Sequence, residues 1–292
     1  MGGFGKLASL VRYRFFLYAG LLPYMLGAAW AYGQEGVFHP RYFWIGLLGI
    51  GFSVLGVESF NEYFDARMGT DRVFNPNDDE VIPTWMLWLG LVAFAAAAGV
   101  GLWLGLARGA PVFLYMGLGG LAALFYVGPP IRWAYRGLGE IMIALSYGPW
   151  MTMGSLYLQT QRFSPRALAA SMVPALLIGA LAVVNEIPDF HQDRLVGKKN
   201  LVVRLGRKGG VALYLAAAAC ALGLMIAAPR FGLLPPASIA AGLLGLPFLF
   251  LSARSAFKTF DTPKLFIPAV KYIVLCYLVG TGTLALAVVI KP

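Results

Sequence analysis

The sequence predicts an all-α integral membrane protein, a bundle of about nine transmembrane helices around a central cavity with the N-terminus cytoplasmic. Three observations carry this. Of 292 residues, 59% are hydrophobic and 12% charged, against about 25% charged in a soluble domain, and mean hydropathy is +0.73. Apolar runs of roughly 18–25 residues, long enough to cross a hydrocarbon core as helices, recur along the chain. Lys and Arg then fall unevenly on the two sides that those runs define.

The runs lie near 15–32, 42–60, 84–106, 111–127, 138–158, 167–185, 209–228, 236–253 and 267–290. No polar linker between them could hold a separate soluble unit, so residues 1–292 are expected to form a single polytopic domain. Before the first run, M-G-G-F-G-K-L-A-S-L-V-R-Y-R-F lacks a small-residue cleavage site behind an apolar stretch, and no removable signal peptide is expected. The second run leaves the membrane through an acidic segment, and Gly69 lets its helix end. The fifth follows a Gly-rich turn with Glu140 at its start, either a charge complementing the helix terminus or a site residue. The sixth ends in a second acidic segment, where Pro188 introduces a kink. Cys220 and Cys276 sit singly within later runs, giving neither a disulfide framework nor a metal-ligand spacing.

With nine spans, 17 Lys and Arg lie on the side of the N-terminus and the 2–3, 4–5, 6–7 and 8–9 connections, and 6 lie on the other. This positive-inside bias puts that side in the cytoplasm, and the protein in a cell (inner or plasma) membrane. The net charge of +10 falls in loops of a membrane bundle. That predicts contact with anionic headgroups of membrane lipids or with a pyrophosphate, and no nucleic acid partner.

Ten of the thirteen acidic residues fall in two segments: Glu58, Glu62, Asp65, Asp71, Asp78, Asp79 and Glu80, then Glu186, Asp189 and Asp193. Carboxylates beside hydrocarbon are costly, hence paired, buried or functional. In both segments an Asn precedes an Asp by four residues, on one helix face: Asn61 with Asp65, and Asn185 with Asp189. Asn185, Asp189 and Asp193 are expected to form one acidic stripe over about two turns. Asp71 returns towards Asp65 if the helix ends at Gly69. Oxygen-only ligands of this kind suit Mg²⁺, which keeps waters and is shared with substrate phosphates. Two such sets on one face could hold two ions around one pyrophosphate, with Arg194 and the run G-K-K (197–199) balancing its charge. The plainer alternative is two acidic helix ends paired with loop cations.

These segments resemble the UbiA superfamily of intramembrane aromatic prenyltransferases. N-E-Y-F-D-A-R-M-G-T-D (61–71) is similar to its first signature, Asn-x-x-x-Asp with a further Asp. The six-residue gap to that last Asp resembles the 1,4-dihydroxy-2-naphthoate (MenA-like) branch. D-F-H-Q-D-R-L-V-G-K-K-N-L (189–201) is similar to the second signature. F-Y-V-G-P-P-I-R-W-A-Y-R-G-L-G-E (125–140) and L-S-Y-G-P-W-M-T-M-G-S-L-Y-L-Q-T (145–160) are similar to the same branch. The resemblance spans most of residues 10–210. It departs at Glu62, where many members carry Asp, and in the acidic stretch V-F-N-P-N-D-D-E-V-I-P-T (73–84).

What the resemblance implies is Mg²⁺-dependent transfer of a polyprenyl group from a polyprenyl pyrophosphate to a small lipophilic acceptor, a quinone precursor as in menaquinone biosynthesis. Asp65, Asp71, Asp189 and Asp193 are then the metal–pyrophosphate ligands, with Asn61 and Asn185 orienting them. Lys198, Arg67, Arg72 and Arg132 are expected to meet the phosphates, Lys198 foremost by motif position; Arg12 or Arg14 matches a family Arg. Tyr126 and Tyr135, with Tyr147 and Trp150, are candidates to face the allylic cation. Other acceptors (hydroxybenzoate, a tetrapyrrole, a glyceryl phosphate, a carotenoid) remain open. So does a cation-coupled transporter, although its Asp residues would sit mid-span. The recurrence of the Asn–Asp pair 124 residues apart, four spans on, suggests a parallel duplication.

Overall fold

The computed structural model describes residues 14–67 and 84–290, with side chains for 20–64 and 84–290. Among them all regular structure is helical. In chain order the helices are α1 (Arg14–Glu35), α2 (Pro40–Arg67), α3 (Trp85–Arg108), α4 (Pro111–Phe125), α5 (Gly139–Leu145), α6 (Met151–Thr160), α7 (Pro165–Glu186), α8 (Phe190–Leu195), α9 (Leu201–Ala227), α10 (Ser238–Thr259) and α11 (Pro263–Ala287). Six of these, α2, α3, α7, α9, α10 and α11, are long and apolar enough to cross a membrane. The chain is a multi-pass membrane protein.

Local chemistry sets the helix starts. Proline occupies the first turn of α4, α7 and α11, where the missing N–H would be unsatisfied anyway. Ser164 caps α7 by accepting from Ala167 N (3.3 Å), and Asn200 caps α9 by accepting from Val203 N (2.8 Å). Between α5 and α6 the sequence S-Y-G-P-W forms a π turn at Ser146–Trp150, because Pro149 cannot donate to the regular ladder. That turn widens the helix beside an apolar cavity lined by Tyr147 and Trp150.

Burial ranks the helices. In its most apolar stretch α7 is 72% buried, whereas α3 is 22% buried, so α7 runs through the centre and α3 faces lipid. Helix α7 packs against α1, α5, α6, α9, α11 and the π turn. A Cβ on Gly148 of the π turn would collide with Ala175 of α7, so glycine is what allows the two backbones to meet. Deep in the C-terminal helices, Ser252 Oγ donates to Ala269 O (2.9 Å) and lies 3.2 Å from the Tyr214 hydroxyl, pinning α9, α10 and α11 together.

The acidic stripe expected at 185–193 is not one helix. Helix α7 stops at Glu186, a turn spans 187–189, and α8 begins at Phe190. Pro188 ends the helix rather than kinking it, since it has no N–H for the ladder and its ring would crowd the carbonyl of Val184 four residues back. As a result Asp189 is exposed and Asp193 is buried. Helix α9 is also broken near its start, where Gly206 adopts φ 74°, ψ 164°.

Candidate active site

Where α7 ends, the 4–5 connection (residues 126–138) and the segment 187–200 come together. The centre of this junction is Asp193, 4% exposed. Its Oδ1 is 3.3 Å from Lys198 Nζ, and its Oδ2 accepts from Asn200 Nδ2 at 2.7 Å. The ammonium of Lys198 also lies 5.5 Å from the centroid of the Tyr135 ring, within cation–π range. Lys198 is therefore held between a carboxylate and an aromatic face. A buried charge is stable only when paired and hydrogen-bonded, and here both carboxylate oxygens are engaged.

Main-chain bonds lock the two connections together. Lys199 N donates to Tyr135 O (3.2 Å). The Arg204 guanidinium donates through Nε to Lys199 O (2.7 Å) and through Nη2 to Arg136 O (2.6 Å). Gly137 makes this approach possible: its φ is +72°, and a Cβ there would lie 2.6 Å from Lys199 O. Glu140, 3% exposed, accepts from Leu201 N at 2.6 Å and so ties the start of α5 to the start of α9.

Glu140 also lies against Glu186, the last residue of α7, whose surroundings include Asp193 and Lys198. The Oε2 atoms of both glutamates are buried. On α2, the side-chain oxygen of Asn61 is buried and has no hydrogen-bond partner among the described residues. Asn185 is half-buried. Asp71 and Arg72 lie outside the described residues, as do the side chains of Asp65, Arg67 and Arg14.

An apolar cavity of about 520 Å³ reaches the 126–138 connection at Tyr126. Val54 and Val57 of α2, Phe94 of α3, Tyr115 and Gly120 of α4, Tyr126, and Tyr147 and Trp150 of the π turn line it. Of the aromatic residues proposed from the sequence, Tyr126, Tyr147 and Trp150 meet here, and Tyr135 faces Lys198 instead. Among the described residues all the walls come from α1–α6 and their connections, so the front half supplies more of the cavity than a strict duplication would.

Arg132 is elsewhere. It lines a second cavity of about 420 Å³ with Tyr135, Arg136, Lys199 and Arg204, which shares no lining residue with the first. Sequence reasoning passed over Asn200 and gave Glu186 no role beyond its place in the second acidic segment. Asn200 carried a usable signal, because an Asn directly before an apolar run is a helix N-cap. Glu186 carried its proximity to Asn185 and Asp189.

A family model described as the UbiA prenyltransferase family matches residues 20–272. The chain belongs to that family. This UbiA-family prenyltransferase is 28% identical over 216 residues to the 1,4-dihydroxy-2-naphthoate octaprenyltransferase of Bacillus subtilis, covering 70% of this chain and 68% of the relative. It is 30% identical over 203 residues to the 2-carboxy-1,4-naphthoquinone phytyltransferase of Synechocystis, covering 65% and 63%. The matches thus span roughly two thirds of those relatives' lengths. Its fold is that of the apo UbiA homolog from Aeropyrum pernix K1 (TM-score 0.66, 17% identity, 91% of this chain and 98% of that one). The UbiA homolog from Archaeoglobus fulgidus bound to GPP and Mg²⁺ is also similar (TM-score 0.61, 18% identity, 93% and 98%). The family resemblance read from the motifs holds, and membership in a prenyltransferase family removes the transporter alternative.

Proposed function

We propose that this enzyme transfers a polyprenyl group from a polyprenyl diphosphate to an aromatic quinone precursor of the naphthoate type, with Mg²⁺ as cofactor and the site facing the cytoplasm. The observation that carries this reading is that one connection, 126–138, serves both features: its Tyr135 faces Lys198 of the buried Asp193–Lys198 pair, and its Tyr126 lines an apolar cavity of about 520 Å³. One end suits a diphosphate and the other an isoprenoid tail. The naphthoate-type acceptors named for the relatives from Bacillus subtilis and Synechocystis support the acceptor class.

The donors present suit Mg²⁺. They are all oxygens, and the Asn61 side-chain oxygen is buried without a partner, an atom for which a hard cation would compensate. Asp65, Asp71, Asp189 and Asp193 would hold the metal, with Asn61 and Asn185 orienting the ligands. The bound ion supplies Lewis-acid stabilisation of the negative charge that gathers on the leaving diphosphate.

The chain's own residues do the rest. Lys198, with Arg67, Arg72 and Arg14, offers positive charge to the diphosphate as the allylic C–O bond breaks. The faces of Tyr126, Tyr147 and Trp150 shield the allylic carbocation from water in the apolar cavity. The acceptor ring carbon supplies the electron pair for the new C–C bond, and the proton or carboxyl group at that carbon then leaves. No strong base is required, which agrees with a chain holding only two His.

The test incubates purified enzyme and Mg²⁺ with geranylgeranyl or longer diphosphates and a panel of acceptors, with products read by mass and released diphosphate measured. Prenylated naphthoate is the expected product. Turnover confined to hydroxybenzoate or to a glyceryl phosphate would refute the acceptor class, and absence of Mg²⁺-dependent diphosphate release would refute the reaction.

A further inference from the structure

The second cavity is lined by the same two connections, and Tyr135, whose ring faces Lys198, forms part of its wall. Residues 198–200 run without helical structure, so successive side chains leave the backbone on different sides. Lys198 turns inward to Asp193, while Lys199 is exposed and lines the second cavity with Arg132, Arg136 and Arg204. Four cations therefore surround about 420 Å³, and among the described residues no carboxylate lines it.

Two features show that this basic cavity is built rather than incidental. The Arg204 guanidinium is fixed by two main-chain carbonyls, Lys199 O and Arg136 O. A guanidinium carries five N–H donors, so three remain to be offered from a rigid mount. Arg132 adopts φ 54°, ψ 65°, a left-handed conformation that a residue with a Cβ keeps only where its surroundings hold it. That conformation delivers its side chain to the cavity wall. Arg pairs bind phosphate through paired, charge-assisted hydrogen bonds, and basic pockets at headgroup depth take lipid phosphates.

We infer that Arg132, Arg136, Lys199 and Arg204 form a second anion site for a phosphate group, beside the acidic site across Tyr135 and filled without Mg²⁺. The phosphate belongs either to an anionic phospholipid headgroup or to a free diphosphate, and both present the same oxygens to the guanidinium fork. This inference stands independently of the acceptor and of the metal ligands proposed above.

The test compares wild type with Arg136→Gln/Lys199→Gln, which keeps every main-chain bond at the junction, and with Lys199→Glu as a second variant. In one arm the full-length protein in zwitterionic detergent with EDTA binds labelled inorganic diphosphate. In the other, protein from bilayers of phosphatidylcholine mixed with phosphatidylglycerol is examined by native mass spectrometry for retained phosphatidylglycerol. Binding in at least one arm is expected to weaken about tenfold in both variants, with unchanged thermal unfolding, and the responding arm names the source. Asp189→Asn is expected to bind like wild type in these arms. Equal binding by wild type and variants in both arms overturns the inference, as does diphosphate binding that appears only with Mg²⁺ or is lost in Asp189→Asn.

Discussion

Replacing Asn200 with Ala removes two contacts from a side chain that is 2% exposed. Its oxygen caps α9 through Val203 N (2.8 Å), and its amide donates to Asp193 Oδ2 (2.7 Å). Loss of an N-cap costs about 1 kcal/mol. Loss of a hydrogen bond to a charged group costs about 1.5–3 kcal/mol, because the carboxylate oxygen stays buried. Asn200→Ala should therefore destabilise the protein by about 2.5–4 kcal/mol, lowering the unfolding temperature by roughly 5–10 °C in a chain of this size. Asn200→Ser separates the two contributions, since serine retains the cap but cannot reach Asp193. It should recover about 1 kcal/mol of that loss while remaining as impaired as Asn200→Ala in prenyl transfer, because Lys198 alone then holds Asp193. Thermal unfolding in detergent and initial rates at saturating diphosphate read the two effects. An Asn200→Ala protein that unfolds with wild type and turns over normally would refute the role assigned to this junction.

Three further outcomes follow from the same geometry. Asp189→Asn changes an exposed side chain, so unfolding should shift by no more than about 0.5 kcal/mol, whereas prenyl transfer should fall by roughly 100-fold or more; retained activity in both Asp189→Asn and Asp65→Asn would defeat the metal assignment. Lys198→Met leaves Asp193 buried with only Asn200 and should raise KM for the diphosphate, and Lys198→Arg should restore part of it, as steady-state titration of the donor will report. Gly120 lines the apolar cavity, and a Cβ there meets nothing within 4 Å. Gly120→Phe should therefore fold normally and turn over short donors while losing activity with long ones, and an unchanged chain-length profile would move the tail elsewhere.

The helices were legible because the bilayer demands runs of apolar residues, and those runs survive in any context. Asp193 was found through its spacing to Asp189, yet spacing suggested one stripe. The helix instead ends at Glu186 because Pro188 forbids its continuation, and this buries one Asp while exposing the other. What escaped sequence reasoning was the pairing of the connections. The bonds from Lys199 N to Tyr135 O and from the Arg204 guanidinium to Arg136 O join residues 64 and 68 positions apart and end on main-chain carbonyls, which leave no periodic trace. The partition of the basic residues was hidden for the same reason: Lys198 and Lys199 are neighbours in sequence, and only the backbone direction tells one side from the other.

The brace built on Arg204 grips the carbonyls of positions 136 and 199 and ignores what those positions carry. Their side chains can change without loosening the joint that keeps Lys198 beside Asp193. A lineage adapting to a bilayer of different lipid charge can thus revise the exterior of this corner residue by residue, while its interior geometry is inherited intact.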